Sequence, residues 1–158
     1  VFGNGAPVSS PDDFSRIGEA MRSLGVNRAI FSFLDLYGKV KVRDERFSLG
    51  LTDPPITIKR EYAASIARAA GRIGMTLESC SEEALSVGGI TRGACIDGSL
   101  LSKLAGEPAP LTKDPGQRAA CRCTVSRDIG SYADMPCPHG CLYCYANPIV
   151  ESDTGAAR

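Results

Sequence analysis

Cys137, Cys141 and Cys144 lie in the run Cys137-Pro138-His139-Gly140-Cys141-Leu142-Tyr143-Cys144 and set three thiols at the spacing C-x3-C-x2-C. A cubane iron–sulfur cluster is held by thiolates that reach separate irons. One tight loop can supply three of them where a glycine such as Gly140 lets the backbone bend sharply. Three ligands leave the fourth iron of a 4Fe-4S cluster open, either to bind a small chelating ligand or to be closed by another cysteine. Cys121 and Cys123, a C-x-C pair just upstream, are the candidates for that closure. A C-x-C pair with a C-x2-C pair would also suit tetrahedral zinc, the competing expectation. Zinc sites typically use two separated pairs rather than three crowded cysteines, so iron–sulfur comes first.

The chain holds seven cysteines, and its opening residues VFGNGAPVSS have neither the basic nor the apolar part of an export signal. A disulfide framework is therefore not expected, because reduced compartments keep thiols free, and metal ligation becomes the leading reading. The compartment this implies is the cytoplasm. Eighteen basic and eighteen acidic residues cancel, so no net field favours nucleic acid or an anionic membrane. No apolar run reaches the roughly 20 residues that span a bilayer. The chain starts at Val1 within Gly- and Pro-containing sequence, as a fragment would, and an upstream segment is expected.

The elements that must position these thiols read as alternating α/β. Ser10-Pro11-Asp12-Asp13 looks like a helix start, with Phe14, Ile17, Met21 and Leu24 at helical spacing and Gly25 as the stop. The apolar run from Ala29 to Leu34 suits a buried strand with Asp35 at its C-terminal end. Gly38 to Pro55 is polar and reads as a loop or irregular crossover. Thr57 is the expected cap of a second helix carrying Ile58, Tyr62, Ile66, Ala69, Ala70 and Ile73 on one face. A strand over Met75 to Cys80 follows, completing the order of a right-handed parallel crossover. Asp97 and Gly106 bound a short helix with Leu100, Leu101 and Leu104. Cys80 and Cys95, each alone, read as small buried apolar residues.

The C-x3-C-x2-C spacing, with Tyr143 before the last cysteine, resembles that of radical S-adenosylmethionine enzymes. The resemblance implies that S-adenosylmethionine binds the open iron and that the reduced cluster cleaves its sulfonium, with an electron donor and an unknown small-molecule or macromolecular substrate. A longer resemblance runs from about Val26 to Asn147. It includes Phe31-Ser32-Phe33-Leu34-Asp35-Leu36-Tyr37, Cys80-Ser81-Glu82-Glu83, Gly93-Ala94-Cys95-Ile96-Asp97, Cys121-Arg122-Cys123 and Ser126-Arg127-Asp128-Ile129-Gly130-Ser131-Tyr132, and closes on the three-cysteine run itself. In this order the segments are similar to the C-terminal half of the bacterial domain of unknown function 1848 family, which is uncharacterised and supplies no substrate.

The fold expected is α/β, a partial parallel β/α (TIM-like) barrel with an irregular C-terminal cysteine-rich segment. Residues 1–110 would form the barrel body without its N-terminal half, 111–149 the iron–sulfur segment and 150–158 a disordered tail. His139 is expected to donate to a cluster sulfur or face solvent. Tyr132, Tyr143 and Tyr145 are expected to pack beside the cluster, and Arg118, Arg122 and Arg127 to be solvated.

Overall fold

The computed structural model describes residues 1–86, 88–131, 134–135 and 137–144. The expectations for Tyr132, Tyr145 to Asn147 and the tail fall outside these residues. The chain divides into two compact units, one of residues 1–8, 34–53 and the described residues from 127 onward, the other of 9–33 and 54–126.

The second unit carries the parallel sheet. Helix α1 spans Pro11–Ser23 and starts on a reciprocal capping box. The Asp13 amide donates to the Ser10 hydroxyl at 3.1 Å, and the Ser10 amide donates to the Asp13 carboxylate at 2.9 Å. Strand β3 (Arg28–Phe31) pairs in parallel with β5 (Thr76–Ser79), and β5 pairs in parallel with β6 (Thr91–Arg92). Between β3 and β5 lies α3 (Ile56–Arg72), which buries Ala63, Ile66, Ala69 and Ala70. Its inner face closes over Met75, Leu77 and Ile90 in one core, with Phe14, Phe31, Tyr62 and Ile73 packed around it. The strand–helix–strand unit read from the sequence is thus present. The cap of α3 is not the expected Thr57, because the helix begins at Ile56 after Pro55, with no side-chain cap.

Close approach of α1 to this core depends on Gly18, where a Cβ would collide with the Ile73 side chain and stand 3.1 Å from the Met75 sulfur. A one-turn 3-10 helix at Glu83–Leu85 follows β5, and Leu85 is fully buried. Helix α4 (Gly98–Ala105) is capped by Asp97, whose carboxylate accepts the Ser99 and Leu100 amides at 3.0 and 3.1 Å. It ends at Gly106 in the left-handed conformation, as its sequence signals.

The first unit is antiparallel. Strands β1 (Phe2–Gly3) and β2 (Ala6–Pro7) form a hairpin around Asn4-Gly5, both at positive φ, and β1 also pairs with β4 (Leu51–Thr52). Such a two-residue turn matches the twist of the strands it joins. Helix α2 (Gly38–Phe47) occupies much of the stretch expected to be a loop. Its Lys, Arg and Glu side chains favour a helix, yet only Val40 is buried, so the face that normally signals a helix is one residue wide. The Asp44 carboxylate then accepts the Leu51 amide at 2.9 Å and sets the start of β4.

Among the described residues the expected barrel is not formed. Two separate three-stranded sheets, ordered β2-β1-β4 and β3-β5-β6, account for the named strands. Closing a barrel needs about eight tilted strands in one continuous ladder. Here an antiparallel sheet of two-residue strands replaces the continuation that the parallel crossover suggested.

Candidate thiol sites

Strand β5 ends at Ser79, and the Cys80 amide continues its ladder by donating to the Phe31 carbonyl at 2.8 Å. On the other side the Gly93 amide donates to the Ser79 carbonyl at 2.9 Å, so the turn that leads to Cys95 leaves the same end of the sheet. A Cβ at position 93 would stand 2.8 Å from the Glu78 Cβ, and glycine is needed for this approach.

The loop carrying Cys95 is anchored from β3. Arg28 pairs with Glu78 at 2.7 Å and Asp97 at 3.7 Å, and donates to the Ala94 carbonyl at 3.2 Å. The Glu78 hydrogen bond raises the Arg28 pKa above its already high ordinary value, and the nearby Asp97 and Cys95 act in the same direction.

The C-x-C pair arrives on a returning strap. Val125 donates to the Thr112 carbonyl at 2.9 Å and Asp114 to the Cys123 carbonyl at 3.0 Å, around a bridge between Lys113 and Thr124. The same strap is tied to the Cys95 loop, because the Thr124 amide donates to the Ile96 carbonyl at 3.0 Å and the Ile96 amide donates to the Cys123 sulfur at 3.4 Å. Cys121 and Cys123 are each only 5% exposed.

Four cysteines are brought together by this wiring. Burial, then the neighbouring Cys80 and after it the Cys123 and Cys121 thiols, push the Cys95 pKa up to about 11. Cys95 itself is exposed. The Cys121 thiol is shifted the other way. Burial raises its pKa, but the Cys123 amide at 3.4 Å and the neighbouring Cys123, Ser81 and Cys80 side chains outweigh it and hold the sulfur below its ordinary value. Ser81 is itself in the left-handed region at φ 57°, uncommon for a residue with a Cβ. Among the described residues, no three His, Cys, Asp or Glu side chains stand ready to hold a metal ion.

The C-x3-C-x2-C run belongs to the other unit. Gly140 is at φ 57°, and the Cys144 amide donates to the Cys141 carbonyl at 3.0 Å, closing a tight turn. Arg43 of α2 donates to the Cys144 carbonyl. Cys137 is exposed, and Cys141 and Cys144 are half-buried. His139 is exposed, and Tyr143 is open to solvent rather than enclosed. The run offers only soft thiol donors, with no carboxylate between them.

Cys80 and Cys95 are the residues that reading each cysteine alone undervalues. The signal for them is positional, since they follow neighbouring parallel strands at the end where α/β sheets place their sites.

The family model described as domain of unknown function (DUF1848) matches residues 7–146. No curated protein and no solved structure matches the chain. No helix among the described residues is long and apolar enough to cross a membrane.

Proposed function

This chain belongs to the DUF1848 family, and since that family's description names no activity, we propose from its residues that it is an iron–sulfur protein of the radical S-adenosylmethionine type. In this reading Cys137, Cys141 and Cys144 hold a 4Fe-4S cluster and leave one iron open to S-adenosylmethionine. The observation that carries the reading is the turn itself: three thiols in one C-x3-C-x2-C run, bent at Gly140 and closed by the Cys144 to Cys141 hydrogen bond. When bound, a reduced cluster supplies the electron that cleaves the sulfonium, and an external donor restores it.

The chain's own residues have simpler tasks. Arg43 of α2 fixes the Cys144 backbone and sets one positive charge beside the turn. The alternative is a closed cluster with Cys121 or Cys123 as fourth ligand.

The test is electron paramagnetic resonance of the anaerobically reconstituted, reduced chain, with and without S-adenosylmethionine. The reading expects a cubane signal that changes on adding the cofactor and is lost in Cys137→Ser, Cys141→Ser and Cys144→Ser. A cubane signal indifferent to the cofactor sinks the open iron, and retention in those variants sinks the ligand assignment.

A further inference from the structure

We draw no further inference here: the strongest candidate, the exposed apolar stripe of Ile17, Met21 and Leu24 along the outer face of α1, carries no proposal because nothing in the structure shows what covers it.

Discussion

The backbone amide of Ile96 donates to the Cys123 sulfur at 3.4 Å while the Ile96 carbonyl accepts the Thr124 amide at 3.0 Å, so a single residue fastens the strap to the loop after β6. The neighbouring contact is equally close. At Gly98 an added Cβ would collide with the Pro110 carbonyl oxygen and stand 3.1 Å from the Thr124 hydroxyl.

Gly98→Ala is therefore expected to destabilise the chain. Alanine is favoured over glycine in a helix by about 1 kcal/mol, but overpacking against backbone costs about 1–3 kcal/mol and should win. Urea unfolding would show a lower midpoint, and hydrogen exchange would quicken first at the Thr124 and Val125 amides. A midpoint equal to or above that of the parent would mean the strap yields freely.

Arg28 joins β3 to the Cys95 loop through Glu78 and the Ala94 carbonyl. Arg28→Ala should cost about 1–2 kcal/mol, between the value of an exposed ion pair and that of a hydrogen bond to a charged group. Arg28→Lys should recover only part of this, because an ammonium lacks the planar fork that reaches both partners. A double-mutant cycle with Glu78→Gln measures the coupling. A coupling near zero would show that the pair contributes nothing.

Leu85 is fully buried one short turn beyond Cys80, and Arg60 of α3 donates to the adjacent Ala84 carbonyl at 3.1 Å. Leu85→Ala should lower stability by about 2–5 kcal/mol, as truncations of fully buried leucines do. Thermal unfolding checks this, and a loss below 1 kcal/mol would contradict the burial described.

The strand–helix–strand core and two of the helix caps are legible because each rests on local signals. Ser10 with Asp13, and Asp97 with Gly106, are capping patterns written in adjacent residues, and the α3 face repeats at helical spacing. Helix α2 escapes the same reading because Val40 alone is buried. The hairpin at Asn4-Gly5 carried a recognisable turn signal, but its strands are two residues long and leave no alternation to read. The barrel fails for a nonlocal reason. One parallel crossover is compatible with many sheets, and its continuation is decided by strands far away in sequence. The grouping of Cys121 and Cys123 with Cys80 and Cys95 is hidden in the same way, since about forty residues separate Cys80 from Cys121 and only the β5–β6 ladder and the strap bring them together.

The capping box of α1 should give a measurable pH dependence. The Asp13 pKa is lowered, first by the Ser10 amide hydrogen bond, then by the Ser10 hydroxyl and Arg16. A carboxylate with a depressed folded pKa contributes stability that is present above its unfolded pKa and lost as pH falls through the folded value. Stability should thus decline on acidification below the ordinary aspartate range. NMR titration of Asp13 should show a midpoint under that range, moving upward in Ser10→Ala. Removing the cap should itself cost about 1 kcal/mol. An unmoved midpoint in Ser10→Ala would show that the Ser10 hydroxyl has no part in the shift, since the Ser10 amide bond remains in that variant.

Arg43 offers a test of the C-x3-C-x2-C turn that leaves its thiols in place. Its guanidinium donates to the Cys144 carbonyl from α2, so Arg43→Ala removes a backbone anchor without removing a sulfur. If the turn holds a cluster, loosening it should lower iron and sulfide content after reconstitution and speed loss of the cluster's visible absorption in air. A change in a supporting residue around a metal typically weakens binding about 10–100-fold. Arg43→Lys keeps the charge but not the fork, and should fall between the parent and alanine. If Arg43→Ala assembles and keeps its cluster as the parent does, the anchor is dispensable and the turn is held by its own Cys144 to Cys141 hydrogen bond.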